Sequence, residues 1–336
     1  MNKKLTLKST EFRKMREESW AKLDNIVTRV EEKNISVLTV KEVNELPLLY
    51  RNAVSSLSVA RAIVIDRGLL RYLENLALRA YLVVYGPRVR ISTVMVDFLR
   101  RGFPQAVRSM RRHILIIFVL MLVGIVSGYL LVDTDIDNFN LIIPEDLAGG
   151  RGPSSTTQEL IETELFAPWP GFIDTFIAFA SFLFKHNTVV GIMCFCLGFA
   201  LGLPTVILAI YNGLILGAFV ALHAKHGLTI DCIGWLSIHG VTELLAIILC
   251  AAAGLVLAEK ILFPDRMSRL ESLALHGKRA ASVAAGSVML FFIAGILEGG
   301  FRQLINNTPG RYIVAILTAL WWFHYFVNMG RDKQNL

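Results

Sequence analysis

The sequence predicts an all-α fold, that of a polytopic helical membrane protein with about six spans and a cytoplasmic N-terminal helical bundle. Of the 336 residues, 54% are hydrophobic and 18% are charged, and the mean hydropathy of +0.54 lies outside the usual range of soluble domains. The stretch HILIIFVLMLVGIVSGYLLV, residues 113–132, has no full charge and is long enough to cross a hydrocarbon core of about 30 Å. Basic residues precede this first span and acidic residues follow it, which predicts its orientation.

Residues 1–87 are predicted to form a cytoplasmic bundle of three helices. In residues 9–33, apolar side chains recur at helical spacing on a strongly charged background, the pattern of an amphipathic helix. A second helix begins at Thr39, where Glu42 completes a capping box, and a third covers residues 69–85. We expect the three apolar stripes to bury one another.

Residues 88–112 form a basic segment that we expect to lie along the membrane surface as an elbow. Arginines and apolar residues alternate there, as in an interfacial helix on anionic lipid; a fourth helix of the bundle is the alternative. The arginines of this basic elbow are Arg88, Arg90, Arg100, Arg101, Arg108, Arg111 and Arg112. We therefore attribute the net charge of +7 to anionic membrane lipids and not to nucleic acid.

Residues 133–186 are predicted to be an acidic extracytoplasmic loop. Over residues 133–174 the chain carries nine acids and one arginine, so the positive-inside rule places this loop away from the cytoplasm. Its last part, residues 172–186, is predicted to be an amphipathic or re-entrant helix that ends near Asn187. With six spans, the tail 331–336 returns to the cytoplasm.

Residues 187–330 are predicted to be the transmembrane core, with about five of the spans. The apolar stretch 188–222 is too long for one crossing at about 1.5 Å per residue, so we place a hinge at Leu203-Pro204. Further spans are predicted at residues 232–262, 281–299 and 312–329.

Several polar residues fall within these spans, where an ionised carboxylate costs about 3 kcal/mol or more unless it has a partner or water. His239 and Glu243 are four residues apart and share one helix face, and Gly240 allows close approach beside them. We predict an intramembrane polar cluster composed of Asn187, Asn212, Gly213, His239, Gly240, Glu243 and Glu298.

Three interpretations of this cluster remain open. It ties helices together, or it lines a transporter or channel pathway. The third is a metal-dependent intramembrane hydrolase in which His239, Glu243 and Glu298 are ligands, although the chain has no H-E-x-x-H motif. The sequence predicts no cofactor, because no nucleotide-binding motif occurs in a suitable context.

Two small-residue pairs suggest close helix packing. Gly198-x-x-x-Gly202 and Gly213-x-x-x-Gly217 have the spacing of such contacts. The contacts form within one chain or between subunits, and they lead us to expect a homodimer.

Four segments resemble the stage II sporulation protein M family of integral membrane proteins: FLFKHNTVVGI, GFALGLPTVILAIYNGLILGAF, SIHGVTELLAIILCAAAGLVL and FFIAGILEGGF. The resemblance covers roughly residues 165–330 and rests on the order of Asn, Asn-Gly, His-Gly-x-x-Glu and Glu. It implies a multi-pass protein of the bacterial inner membrane that acts as a scaffold for envelope-associated, peptidoglycan-remodelling partners. The N-terminal bundle and basic elbow resemble the longer members of that family.

Overall fold

A computed structural model describes most of the chain as helices in two compact units. The described residues are 3–33, 35–62, 67–85, 91–166, 173–301 and 304–331. The units are Met1–Ile91 and Ser92–Leu336, called here the N-terminal unit and the membrane unit.

The N-terminal unit contains three helices around an apolar core. They are α1 (Lys3–Lys33), α2 (Val40–Ala62) and α3 (Arg67–Tyr85). The predicted capping box is confirmed, since Thr39 N donates to Glu42 Oε2 at 2.8 Å and Glu42 N donates to Thr39 Oγ1 at 3.3 Å. The large buried side chains of this core include Phe12, Trp20, Leu23, Ile26, Leu46, Leu73 and Leu76. The first helix begins earlier than predicted because the lysines and leucines of residues 3–8 favour helix.

The remaining helices are numbered along the chain. They are α4 (Ile91–Asp97), α5 (Phe103–Ser109), α6 (Arg111–Thr134), α7 (Asn138–Ile142), α8 (Glu145–Ala148), α9 (Thr157–Glu159), α10 (Ile173–Cys196), α11 (Leu203–Lys225), α12 (Thr229–Leu262), α13 (Arg269–Ile296) and α14 (Thr308–Asn328). Widened π-helical turns follow α4, α9 and α13, at Phe98–Gly102, Leu160–Leu165 and Leu297–Phe301.

Four of the described helices are long and apolar enough to cross a membrane. These are α6, α11, α12 and the continuous run of α13 with its π turn, Arg269–Phe301. A shorter apolar segment, Phe184–Phe199, runs from α10 into the 3-10 turn that follows it. The last helix, α14, includes His324 and Tyr325, whose polar groups lower its hydropathy. The fold is therefore that of a helical membrane protein, and the count of six spans stays a prediction.

One predicted boundary is wrong. The helix expected to end near Asn187 continues without a break to Cys196 as α10, so the division between 186 and 187 falls inside a helix. The polar residues at 185–187 occupy a single turn, and α10 contains no proline to stop it.

The break predicted at Leu203-Pro204 is confirmed to within two residues. Leu201 and Gly202 have positive φ values of 59° and 80°, and α11 begins at Leu203 with Pro204 in its first turn. Such φ values end a helix and redirect the chain.

Glycines bring α6 and α11 into close contact. Gly124 and Gly128 face the carbonyl oxygens of Ile210 and Leu214 so closely that a methyl group at either glycine would overlap them. Gly213 and Gly217 face the carbonyls of Met121 and Ile125 in the same way. The two Gly-x-x-x-Gly pairs therefore interlock within one chain.

The other predicted pair, Gly198-x-x-x-Gly202, also makes its contacts within the chain. Gly198 packs against the backbone of Gly254 in α12, and Gly202 lies against Ala258. These contacts do not test the expected homodimer, but they occupy the faces on which that expectation was based.

Candidate functional site

The central helix of the membrane unit is α12, which packs against α6, α10, α11, α13 and α14. It places His239 and Glu243 one turn apart, as their spacing predicts. Glu298 comes from the π turn after α13, where Gly299 and Gly300 follow it. A π turn widens the helix locally and is frequent at functional sites.

These three residues form a polar centre inside the membrane unit. His239 Nε2 lies 3.7 Å from Glu298 Oε1, and one nitrogen or oxygen atom from each of His239, Glu243 and Glu298 lies within 4.8 Å of the others. His239 and Glu298 are 6% and 8% exposed. The pairing gives each buried group a polar neighbour, which reduces the cost of removing them from water.

Two tryptophan side chains lie next to this polar centre and its helix. The Trp235 ring stands edge-on to the His239 ring, with centroids 6.2 Å apart. Trp322 of α14 donates from Nε1 to Thr242 Oγ1 over 2.9 Å, and both residues are buried. The hydrogen bond ties α14 to α12 one residue before Glu243.

A large apolar cleft lies beside the polar centre. Its cavity volume is about 810 Å³, and its walls come from α5, α6, α11, α12 and α14. Ser237, His239 and Glu243 contribute polar atoms to the wall, and a side chain built at Gly240 would meet no atom within 4 Å. Gly240 therefore leaves open space in the wall rather than allowing another helix to approach.

The structure brings part of the predicted polar cluster together. His239, Glu243 and Glu298 converge, and Gly240 opens the cleft beside them. Asn212 instead donates from Nδ2 to Leu208 O of its own helix at 2.8 Å.

The other two predicted members have separate positions. Gly213 serves the contact between α11 and α6. Asn187 lies within α10, nine residues before that helix ends at Cys196.

The polar centre has the donor chemistry of a divalent-cation site. Imidazole nitrogen and carboxylate oxygen are both zinc ligands, and a tetrahedral zinc bound at about 2.1 Å holds its ligand atoms about 3.4 Å apart. The His239 to Glu298 separation of 3.7 Å is close to that value. Glu243 would supply the third ligand atom, as in catalytic sites that keep one open position.

The basic elbow has a more varied arrangement than its charge pattern predicts. Arg100 and Arg101 are exposed in the π turn, and Arg111 and Arg112 are exposed in the first turn of α6. Arg88 and Arg90 lie outside the described residues.

Arg108 has a role that the sequence did not predict. Its Nη1 donates to the carbonyls of Phe326 and Met329, each at 2.7 Å, and Nη2 donates to Gly330 O at 3.2 Å. It therefore caps the C-terminal end of α14, where a cation also complements the helix dipole.

Together the fold and the site define a helical membrane protein with a buried polar centre beside an apolar cleft. Residues 117–301 match the family described as Stage II sporulation protein M. The match covers more than half of the chain and includes the complete polar centre. The chain belongs to this family, as the sequence resemblance indicated.

The N-terminal unit has its own match. Residues 10–86 match a domain of unknown function, DUF8413, and this range covers most of α1 and all of α2 and α3. No curated protein and no solved structure matches the chain.

Proposed function

We propose that the membrane unit binds a lipid-class amphiphile in the cleft, with the polar group of that molecule at the polar centre. The observation that carries this proposal is an apolar cavity of about 810 Å³ with His239 and Glu243 in its wall. Sites for small molecules typically combine apolar walls with a few polar groups that fix orientation. An amphiphile has the same division between its chain and its head.

The size of the cleft supports a small-molecule occupant. The cleft holds about 810 Å³, which falls within the range of roughly 300 to 1,000 Å³ for small-molecule pockets. Rim residues such as Phe118 and Phe323 are 46% and 67% exposed, so the cleft is accessible from the surface of the unit.

The walls also argue against a pathway for hydrophilic solutes. Most side chains that line the cleft are apolar, including Met121, Leu122, Leu244, Ile248 and Phe326. A path for ions or polar solutes needs polar groups along its length to replace water. Transport therefore has less support than binding from the apolar phase.

The polar centre determines which head groups fit. Carboxylates accept hydrogen bonds, and imidazole accepts or donates according to its protonation, so Glu243 in the wall favours a head group with hydroxyl or amine donors. Glu298 acts on the head group through its contact with His239. Besides direct hydrogen bonding, the polar centre could bind a head group through a divalent cation held by His239, Glu243 and Glu298. A metal-dependent hydrolase would use such a bound cation.

Native mass spectrometry of the full-length protein, released from nanodiscs of defined lipid mixture, tests this proposal. Ala319 lies in the cleft wall on α14 and is exposed, so Ala319→Trp fills the cleft. Leu317 lies on the same helix, is 61% exposed and is not in that wall, so Leu317→Trp is the matched control. We expect retained lipid to fall about tenfold, equal to about 1.4 kcal/mol, in Ala319→Trp alone.

Equal retention in the two tryptophan variants would contradict the proposal. Glu298→Gln sharpens the result, because it should change the preference among head groups while the apolar chain still binds. Metal analysis of the same preparations separates the two head-group mechanisms. One equivalent of metal lost in Glu298→Gln supports the hydrolase variant, and metal-free protein that retains lipid supports direct hydrogen bonding.

An assembly role is the second candidate, and membership of the Stage II sporulation protein M family supports it. In this proposal the protein is a scaffold in the bacterial inner membrane, with about six spans and both termini in the cytoplasm. The N-terminal unit and the acidic loop then offer contact surfaces on opposite sides of the membrane to peptidoglycan-remodelling partners.

Cross-linking in cells followed by identification of captured envelope enzymes tests the assembly role. Glu243→Gln is the informative variant, since a scaffold should keep its partners when the polar centre is changed and the fold persists. If Glu243→Gln loses its partners while its thermal stability is unchanged, the result contradicts a scaffold that acts independently of the polar centre. It would indicate that partners bind only when the cleft is occupied. Accessibility of cysteines introduced at Lys14 in the N-terminal unit and at Ser154 in the acidic loop tests the orientation in the same cells.

A further inference from the structure

A second pocket in the membrane unit lies where α5, α6, α12 and α13 meet. Its cavity volume is about 390 Å³. It shares no lining residue with the cleft that carries the proposed function. Its basic lining residues are Arg111, Arg112, His113, Lys260, His276 and Arg279.

The charge of this basic pocket is strongly unbalanced. Among its described lining residues, four full positive charges face one carboxylate, that of Glu259. Glu259 is already shared, since it lies 2.6 Å from His113 Nε2 and 2.8 Å from Lys260 Nζ. Arg111, Arg112 and Arg279 remain exposed and surround space that an anion can enter. Gathering like charges costs free energy unless a counter-charge joins them.

The types of donor narrow the class of anion. Guanidinium groups present planar pairs of N–H donors that match phosphate and carboxylate oxygens, and a lysine ammonium adds a point charge. The first turn of α6, at Arg111 and Arg112, adds backbone N–H groups without intrahelical partners. His113 Nδ1 is a buried atom without a hydrogen-bond partner among the described residues. An anion with several oxygens and more than one negative charge suits this set of donors, which consists of three arginines, a lysine and the N-terminus of α6.

We propose that this pocket binds a phosphate group, carried by an anionic lipid head group or by a soluble phosphate compound. The pocket lies at the first turn of α6 and the last turns of α12, both candidate spans, so a lipid phosphate at the membrane surface reaches it directly. The volume of about 390 Å³ accommodates a whole phosphorylated head group and not only a bare ion.

Calorimetric titration of the full-length protein in non-ionic detergent tests the site with two probes. The first is dihexanoyl phosphatidylglycerol, and the second is inorganic phosphate. Binding of the lipid alone assigns the site to a head group, and binding of both with mutual competition assigns it to phosphate from either source. Failure of both probes to bind would overturn the proposal.

Matched charge variants decide whether any binding belongs to this pocket. The double variant Arg112→Gln/Arg279→Gln removes two charges from the lining and should weaken binding about tenfold or more. The control Arg100→Gln/Arg101→Gln removes two charges from exposed positions outside the lining and should leave the affinity unchanged. Equal losses in both variants would show general charge attraction and overturn the proposal.

A third variant gives an effect of opposite sign. Glu259→Gln removes the negative charge of the lining, so phosphate binding should tighten about fivefold. An unchanged or weaker affinity would contradict the electrostatic basis of the site. Unfolding temperatures of all three variants, measured without probe, separate a lost site from a lost fold.

Discussion

The N-terminal unit and the membrane unit are both helical and both bury large apolar side chains, but the membrane unit also has close helix contacts made by glycine. The N-terminal unit buries large side chains such as Trp20, Leu23 and Leu73. In the membrane unit the closest helix contact, between α6 and α11, is made by Gly124, Gly128, Gly213 and Gly217.

The difference follows from the solvent around each unit. In water, burial of large apolar surfaces contributes a favourable free energy to folding. Lipid chains are as apolar as leucine, so helices in a bilayer gain little from burying large side chains and associate through close packing instead. The comparison predicts that the N-terminal unit is most sensitive to loss of volume and the membrane unit to added volume.

The largest expected effect comes from adding one methyl group to the contact of α6 with α11. In Gly217→Ala the new Cβ overlaps the carbonyl oxygen of Ile125, and backbone cannot move aside as a flexible side chain can. Overpacking typically costs about 1–3 kcal/mol and occasionally more; because this overlap is with backbone on both helices, we expect a loss that exceeds that range and prevents folding. Thermal unfolding in detergent measures it.

Gly240→Ala is the control for that experiment. Gly240 is also inside a helix, but its added Cβ meets no atom within 4 Å. Replacing glycine by alanine in a helix interior favours the helix by about 0.5–1 kcal/mol, so this variant should be as stable as the parent or more stable. Equal destabilisation of both variants would refute the glycine-packing argument.

The next effect is a loss of volume in the N-terminal unit. Leu23 is fully buried at 0% exposure, so Leu23→Ala should destabilise that unit by about 2–5 kcal/mol. Hydrogen–deuterium exchange of the full-length protein, resolved by peptide, should show faster exchange in α1, α2 and α3. Unchanged exchange in those helices would contradict the assigned core.

The smallest effect concerns charges at the surface of the N-terminal unit. Arg79 contacts Asp24 at 2.7 Å and Glu31 at 2.6 Å, and all three side chains are partly exposed. Arg79→Ala should therefore cost at most about 1 kcal/mol, and less at high salt. Arg13→Ala, which removes an exposed i,i+4 pair with Glu17, should cost about 0.3 kcal/mol.

The same charges set the pH response of this unit. Hydrogen bonds from Arg79 lower the pKa of Glu31, and hydrogen bonds from Thr39 lower the pKa of Glu42. A carboxyl group with a lowered pKa in the fold stabilises it above the unfolded pKa of about 4.3, and that contribution is lost as the pH falls through the folded value. Exchange in α1 and α3, expressed relative to the intrinsic amide rate at each pH, should rise below about pH 4.3, and less so in Arg79→Ala.

The sequence predicts local features of the polar centre and not its assembly. The four-residue spacing of His239 and Glu243 places them on one face of α12. Glu298 joins them only through the packing of α13 on α12 and the π turn at Leu297–Phe301, which no local pattern specifies. Asn212 was expected to join as well, but its amide is satisfied by Leu208 O within its own helix.

The glycine contacts were only partly predictable from the sequence. Gly124-x-x-x-Gly128 is readable in the first span and is the partner of Gly213-x-x-x-Gly217, yet spacing alone does not say which glycine pairs meet. The cleft depends on the relative placement of five helices, so no single segment predicts it. The capping box at Thr39 was predictable because all of its atoms lie within four residues.

The cap that Arg108 places on α14 has a consequence for how the chain is made. Arg108 donates to Gly330 O, which is 222 residues away in sequence. During synthesis Arg108 leaves the ribosome long before its acceptors exist, so this guanidinium can find its final partners only after Gly330 has been translated. The contact therefore forms late in biogenesis, and a chain truncated before Phe326 would leave the Arg108 guanidinium without these three acceptors.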